Sequence, residues 1–122
     1  MKYLCLIFFD EKKLDALSSE EYQALTDQSL DYDEVLRKGN HLLANQALEP
    51  VHTAVTIRPR GGKMTAIDGP FAETKEQIGG FLLIEAKDRE EAIRLASALP
   101  ALDLGGVEVR PVKELMRSRE GG

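Results

Sequence analysis

The feature that most constrains the fold is a run of seven apolar residues from Tyr3 to Phe9. This length suits a β-strand, and a strand that is apolar at every position, rather than at alternate positions, is covered on both faces. The run ends at four charged residues, 10–13, without the small-residue cleavage site of a secretory signal. No stretch of the chain approaches the roughly 20 apolar residues that a membrane span requires. We therefore expect a central strand, a cytoplasmic protein and no membrane association.

Caps and turns mark the later elements. Ser18 and Glu21 form a capping box that starts a helix, and Asp88 repeats the signal before a second helix. Gly61 and Gly62 supply the positive φ angles of a tight hairpin turn. The predicted elements after the first strand are a helix over 18–39, a strand over 41–48, a hairpin over 53–67, a strand over 81–86, a helix over 88–99 and a strand over 107–112. This order describes an α+β, ferredoxin-like fold, βαβ-(hairpin)-βαβ, with an antiparallel sheet and two helices on one face.

One face of the predicted sheet has no helix to cover it. The first helix carries an apolar stripe at three- and four-residue steps, which should face the sheet: Tyr22, Leu25, Tyr32, Val35 and Leu36. The other side of the sheet is also apolar, so we expect it to be buried against a second copy in a homodimer. The chain of 122 residues fits one domain, 1–113, followed by a charged tail, 114–122, that we expect to be flexible.

Composition and spacing argue against several kinds of site. The net charge is −5 and the basic residues are scattered, which argues against direct nucleic-acid binding. The single cysteine, Cys5, permits neither an internal disulfide nor a cysteine-based metal site. His41 and His52 lack the spacing of zinc ligands, and the paired glycines are typical of turns rather than of nucleotide-binding loops. We therefore predict no metal site and no bound cofactor.

The segment DGPFAETKEQIGG, which starts at Asp68, contains the main candidate site. Asp68 either accepts hydrogen bonds from backbone N–H groups in an Asx turn or stands at the mouth of a cavity as a catalytic general base. Lys75 near Asp68 would favour the ionised carboxylate, which suits binding of a polar ligand better than proton abstraction. Phe71 is expected to anchor the loop from below. Glu73 and Glu76 are either solvated or bind the ligand together with Lys75.

Arg110 and His52 complete the set of candidates. Arg110 shares a strand face with Glu108, so its guanidinium either forms an ion pair or binds a ligand carboxylate. His52 enters the hairpin that precedes Asp68 and is a candidate to line the same cavity. The predicted site therefore has one catalytic candidate, Asp68, and six ligand-binding candidates: Phe71, Glu73, Lys75, Glu76, Arg110 and His52.

A longer pattern links the chain to a known family. The segment DGPFAETKEQIGGF, the spacing from it to Pro100 and the later VEVRPV resemble the DGPF-motif family within the YciI-like, or YCII-related, group. The likeness runs from MKYLCLIFFD through GNHLLANQALEP to VEVRPV, which is most of the chain. The resemblance implies a small bacterial protein whose ferredoxin-like chains pair as a dimeric α+β barrel. It also implies a sigma factor of the extracytoplasmic-function class as a partner of some members, and a proposed His–Asp pair in YciI-like relatives.

The sequence departs from those relatives at the proposed pair. Counted back from Gly39, either Gln28 or Ser29 stands where the relatives carry histidine, and Leu99 stands where they carry an acidic residue. The resemblance therefore assigns no reaction to this chain. Three roles stay open: a small-molecule binding protein or cofactor-free enzyme, a regulatory module for a sigma factor or another protein, and a dimeric domain without a ligand. A pocket lined by Asp68 and its charged neighbours would favour the first role, and a convex, well-filled loop would favour the second.

Overall fold

The computed structural model describes residues 1–118 of the chain. Its strands are β1 (Lys2–Asp10), β2 (Leu42–Ala47), β3 (Val55–Arg60), β4 (Lys63–Asp68), β5 (Glu76–Glu85) and β6 (Gly105–Pro111). Its helices are α1 (Glu11–Asp15), α2 (Ser19–Lys38) and α3 (Arg89–Ser97), with short 3-10 turns at Val51–Thr53 and Leu102–Leu104. Every predicted strand and both predicted helices are present, and α1 is an additional short helix. The last part of the predicted tail, 119–122, lies outside the described residues.

Four strands form an antiparallel sheet in the order β2-β5-β1-β6, and β3 and β4 form a separate two-stranded sheet. β1 is therefore hydrogen-bonded along both of its edges, as its continuous apolar run predicted. The order is that of a ferredoxin-like sheet, in which each βαβ half contributes one edge strand. The helices α2 and α3 lie next to each other. The Tyr32 hydroxyl of α2 donates a hydrogen bond to the Leu95 carbonyl of α3 at 2.5 Å. The predicted α+β, ferredoxin-like fold is confirmed.

The hydrophobic core lies between this sheet and the helices α2 and α3. Its strand residues come from alternate positions of β1 and β5, and most of its helix residues come from α3. The buried set is Tyr3, Cys5, Leu36, Leu82, Ile84, Ala86, Ala92, Leu95, Ala96 and Leu99. Burial raises the pKa of the Cys5 thiol to about 11, because the low-dielectric core disfavours the thiolate. The cysteine is therefore a core residue.

Only part of the predicted apolar stripe of α2 is buried. Leu36 is buried, whereas Tyr22 and Val35 are 53% and 61% exposed. α2 contacts the core through its C-terminal half, at Tyr32 and Leu36, so Tyr22 in the N-terminal half lies beyond the core. Val35 is one position, or about 100° of helix rotation, away from Leu36 and turns outward. The prediction that these two residues face the sheet is therefore wrong.

The side of the sheet that faces away from α2 and α3 is apolar. Side chains alternate along a strand, so the neighbours of the buried Tyr3 and Cys5 in β1, and of Leu82 and Ile84 in β5, point to this side. They are half-buried, and we call them the open face: Leu4, Leu6, Phe8, Phe81 and Leu83. This is the surface that the predicted homodimer would bury, and the homodimer itself stays a prediction.

The hairpin of β3 and β4, Val55–Asp68, forms a separate unit that we call the arm. Its turn residues Gly61 and Gly62 have φ angles of 55° and 79°, a backbone conformation that residues with a side chain rarely adopt. At the base of the arm, the Gly69 N–H donates a hydrogen bond to the Ala54 carbonyl at 2.8 Å. The arm makes only isolated contacts with the other elements, so it projects from the domain.

β5 begins at Glu76, earlier than the predicted start at Phe81, so the second half of the DGPF segment is a strand. Its pairing with β1 shifts by one residue beside Ile7 and leaves Gly79 without a register partner, which is a β-bulge. A Cβ atom on Gly79 would overlap the ring of Phe9. Gly79 is therefore required by close packing inside a strand, and the prediction of a turn at this glycine pair is wrong.

Candidate functional site

A cleft of about 470 Å³ lies at the end of the sheet where β1 ends and β5 and β6 begin. Its lining comes from β1, from the segment that leads into β5 and from the start of β6: Phe8, Thr74, Lys75, Glu76, Gly105, Gly106, Val107 and Glu108. Phe8 pairs with Gly106 and Leu6 pairs with Glu108, so the cleft lies on the side of the open face. Two predicted ligand-binding residues, Lys75 and Glu76, are brought together here.

Asp10 is the one buried charged side chain among residues 1–118, and it lies beside the cleft. It ends β1, and its Oδ1 atom accepts a hydrogen bond from the Lys12 N–H at 3.1 Å, which caps α1. Its other oxygen, Oδ2, lies 3.9 Å from the Nζ atom of Lys75. Asp10 therefore uses one oxygen to cap a helix and presents the other to a cation in the lining of the cleft.

The ammonium group of Lys75 is only partly held by this contact. The Lys75 side chain is 79% exposed, and ion pairs with exposed partners stabilise a fold by about 0–1 kcal/mol. The sequence predicted Asp68 as the neighbour of Lys75, but the structure pairs Lys75 with Asp10, because Asp10 and Glu76 face each other across β1 and β5. The ammonium is therefore available to an acidic or anionic group of a ligand.

Gly105 and Gly106 determine the shape of the cleft at the start of β6. A Cβ atom on Gly105 would overlap the carbonyl oxygen of Phe8, whereas a Cβ atom on Gly106 would meet no atom within 4 Å. Gly105 therefore allows β6 to approach β1, and Gly106 leaves open space opposite Phe8. The prediction of a turn at this glycine pair is wrong, because both residues belong to a strand.

Arg110 forms an ion pair with Glu108 on the same strand, with 2.5 Å between Nη2 and Oε2. The structure therefore shows an ion pair for Arg110 with an acidic residue of its own strand, and binding of a ligand carboxylate by Arg110 stays a prediction. Arg110 does not belong to the lining of the cleft, whereas Glu108 does. The pair therefore offsets one of the negative charges in the cleft.

Asp68, His52 and Glu73 are exposed and lie outside the lining of the cleft in a single copy. Asp68 is the last residue of the arm. The exit from the arm is held by Gly69, which bonds through its N–H to the base of the arm and through its carbonyl to the Thr56 hydroxyl, each at 2.8 Å. Backbone and threonine contacts, rather than an Asx turn at Asp68, therefore fix this exit.

Phe71 is 71% exposed, so the prediction that it anchors the loop from below is wrong for a single copy. The guanidinium carbon of Arg58, on β3, lies 4.0 Å from the centroid of the Phe71 ring. A cation over an exposed aromatic ring stabilises by about 0.5–1 kcal/mol. The ring therefore lies against the arm, with most of its surface in water.

Among the residues of this region that the sequence did not indicate as site residues are Phe8, Asp10, Gly105 and Gly106. Asp10 had a visible signal, because a charged residue that directly ends a buried strand stands at the border of the core. No pattern in the sequence indicates that Phe8 lies beside the two glycines, because this proximity depends on the pairing register of β1 with β6.

A second cavity, of about 480 Å³, lies between α3 and β6. Its one charged lining residue is Arg89, and it contains none of the predicted site residues. Within residues 1–118, no group of three or more His, Cys, Asp or Glu side chains is arranged to hold a metal ion. In the same part of the chain, no helix has the length and apolar character needed to cross a membrane. The cleft beside Asp10 is therefore the stronger candidate site.

Known proteins resemble this chain over most of its length. A family model for the YCII-related domain matches residues 1–116. An uncharacterized protein of Rhizobium meliloti (strain 1021) is 37% identical over 117 residues, which cover 92% of each chain. The solved structure of a 5-chloro-2-hydroxyhydroquinone dehydrochlorinase from Burkholderia phenoliruptrix AC1100, in complex with 2,5-dihydroxybenzoquinone, matches with a TM-score of 0.54 and 16% identity, over 93% of this chain and 94% of the other. At that identity the likeness concerns the fold alone. The family match over residues 1–116 shows that the chain belongs to the YCII-related family.

Proposed function

We propose that the protein binds a small, flat, hydroxylated organic compound in the cleft. The observation that carries this proposal is the buried carboxylate of Asp10 beside the exposed ammonium of Lys75, in a cleft of about 470 Å³. Small-molecule sites are commonly concave, about 300–1,000 Å³ in volume, and apolar apart from a few well-placed polar groups. The cleft has this character, because Phe8 and two glycines contribute apolar surface next to a small number of charged groups.

The chemistry of the lining favours a ring that carries an acidic hydroxyl group or an oxyanion. Lys75 can donate hydrogen bonds to such a group, and the Phe8 ring offers apolar surface against which an aromatic or quinone ring can pack. Glu76 can accept hydrogen bonds from other hydroxyl groups of the ligand. Because Arg110 offsets the charge of Glu108, the negative side chains repel an anionic ligand less than their number suggests.

The fold likeness supports the same class of ligand. The dehydrochlorinase is solved in complex with 2,5-dihydroxybenzoquinone, which is a flat hydroxylated ring. Its 16% identity transfers no residue role, so the choice of residues rests on the cleft of this chain. In a cofactor-free reaction, Asp10 would be the proton acceptor, through Oδ2. The sequence suggested Asp68 for that role, but Asp68 lies outside the cleft of its own copy.

Binding can be tested by isothermal titration calorimetry and by thermal shift, with 2,5-dihydroxybenzoquinone as the probe. We expect the probe at one hundred times its Kd to stabilise the wild type by about 2.7 kcal/mol. Lys75→Met should bind the probe at least about tenfold more weakly, because it keeps most of the unbranched side chain but removes the ammonium. Lys113→Met, which removes an exposed lysine outside the cleft, is the matched control. Absence of binding to the wild type, or equal binding by both variants, would contradict the proposal.

A second role is favoured by one observation, the exposure of Phe71. Exposed aromatic residues are enriched at protein interfaces, and Phe71 stands in the loop that the regulatory alternative would use. Under this alternative the partner is an extracytoplasmic-function sigma factor or another protein. Co-purification of a sigma factor from the same genome with the wild type, but not with Phe71→Ser, would support it. Equal recovery with both proteins, or recovery with neither, would exclude the loop from this role.

A further inference from the structure

The two faces of the arm differ in chemistry. Residues that pair directly across antiparallel strands share a face of the sheet. One face is apolar except for a carboxylate at its base, and we call it the apolar arm face: Val55, Ile57, Pro59, Met64, Ala66 and Asp68. The opposite face carries all three basic residues of the arm, Arg58, Arg60 and Lys63. The arm therefore presents one face suited to apolar contact and one suited to water or to acidic groups.

The apolar arm face has no cover in a single copy. Val55, Ile57 and Met64 are 55%, 68% and 75% exposed. The arm makes only isolated contacts with the other elements, and an isolated two-stranded hairpin is at best marginally stable in water. Neighbouring exposed apolar side chains on one face mark an interaction surface. We therefore expect the apolar arm face to be buried against a partner surface.

The distribution of charge indicates that this partner is a second copy of the chain. The arm, residues 55–68, contains three basic residues and one acidic residue, so its net charge is +2. The chain has 16 basic and 21 acidic residues, which leaves 13 basic and 20 acidic residues outside the arm, a net charge of −7. A basic arm and the acidic body of an identical chain attract each other at long range and so favour their encounter, while the basic side chains themselves lie on the face of the arm opposite to the apolar one.

The open face of the sheet offers the matching apolar surface. In a two-fold dimer each copy gives one arm and receives one, so both exposed apolar surfaces are covered by the same contact. We propose that the apolar arm face of one copy packs on the open face of a second copy and covers the cleft at the end of that face. Asp68 belongs to the packed face, so one copy contributes this carboxylate to the surroundings of the other copy's cleft. The contact does not depend on which ligand the cleft binds.

The first test measures the dimer Kd by sedimentation equilibrium. The arm carries two isoleucines on opposite faces, with Ile57 on the apolar arm face and Ile67 on the other. Ile57→Gln and Ile67→Gln therefore make the same chemical change on the two sides of one hairpin. We expect the wild type and Ile67→Gln to form dimers of similar Kd, and the Kd of Ile57→Gln to rise at least about tenfold. A wild type that stays monomeric at high micromolar concentration, or equal Kd values for the two variants, would overturn the proposal.

The second test locates the arm by disulfide trapping. Cys5 is buried and its thiol pKa is raised to about 11, so it does not compete with introduced cysteines. Mixing Ile57→Cys with Leu6→Cys, a position on the open face, should give a covalent mixed dimer on mild oxidation. Ile67→Cys with Leu6→Cys is the control and should give much less. Equal yields, or no product with Ile57→Cys, would overturn the proposal. Neither test involves a ligand, so a negative result here leaves the proposed binding function standing.

Discussion

The adjacent glycines 105 and 106 allow a sharp test of how the cleft is built. Replacing each by alanine adds the same methyl group at neighbouring positions of β6, but the two groups meet different surroundings. At Gly105 the new Cβ overlaps the carbonyl oxygen of Phe8, which is a backbone atom of the central strand and cannot rotate away. At Gly106 the new Cβ meets no atom within 4 Å. We therefore expect the two variants to change the free energy of unfolding in opposite directions.

The size of each change follows from the pairing of β6 with β1. Relief of the overlap at Gly105 requires β6 to move away from residues 8 and 9, which weakens the ladder at the start of the strand. A typical hydrogen bond contributes about 0.5–1.5 kcal/mol, so the loss of two destabilises Gly105→Ala by about 1–3 kcal/mol. Gly106→Ala should stabilise the protein by about 0.4–1 kcal/mol, because alanine has less conformational freedom in the unfolded chain.

Urea denaturation followed by circular dichroism measures both changes. The midpoint should fall for Gly105→Ala and rise for Gly106→Ala, with similar slopes. Both variants should also be made in the Ile57→Gln background, so that self-association does not contribute to the difference. If the two alanines destabilised this background equally, the argument that only Gly105 is in tight contact would be refuted.

Three other residues give predictions of stability. Asp10→Asn keeps a capping oxygen and should change the free energy of unfolding by less than about 0.5 kcal/mol, whereas Asp10→Ala removes the cap of α1 and should cost about 1 kcal/mol. Urea denaturation compares the two, and equal losses would show that the charge of Asp10 matters more than its cap. Burial raises the pKa of the Cys5 thiol from 9.0 to about 11, so its contribution to stability is complete below pH 9 and is lost as the pH rises through about 11. Between pH 9 and 11 the wild type should therefore lose about 2–3 kcal/mol more than Cys5→Ala, at 1.36 kcal/mol per pH unit, and parallel pH profiles of the two would contradict this. Tyr32→Phe removes the hydrogen bond to the Leu95 carbonyl and should cost about 0.5–1.5 kcal/mol, seen as a lower Tm. An unchanged Tm would show that this bond contributes nothing.

The fold could be predicted where a local pattern reports directly on burial or on a cap. The run from Tyr3 to Phe9 marks a central strand: β1 has a hydrogen-bonded neighbour on each edge, Tyr3 and Cys5 face the core, and the residues between and after them belong to the apolar open face. The capping box is present as predicted, since the Ser18 hydroxyl accepts from the Glu21 N–H at 3.0 Å and the Glu21 carboxylate accepts from the Ser18 N–H at 2.9 Å. The helix α1 could not be predicted, because five residues are too few to show a helical period.

The candidate site could be predicted only in part. Lys75 and Glu76 belong to a charged segment that the sequence indicates as a candidate site, and both residues line the cleft. Phe8 and Gly106 are almost one hundred residues apart, and only the register of β1 with β6 places them opposite each other. The prediction that Phe71 packs under its loop was wrong, and its side chain is exposed. Turn residues indicate where the chain changes direction but not which side of the loop faces the core.

The hydrogen bond that closes the arm has a consequence for the architecture of the chain. The Gly69 N–H lies 2.8 Å from the carbonyl oxygen of Ala54, so the backbone returns to the point from which the arm departs. A segment inserted between two points in contact can be lengthened or shortened with little change in the position of the flanking strands. A chain in which a short turn joins Ala54 directly to Gly69 should keep the sheet order β2-β5-β1-β6. The fourteen residues of the arm, 55–68, are thus an insertion whose length can change without a change in the fold of the four-stranded domain.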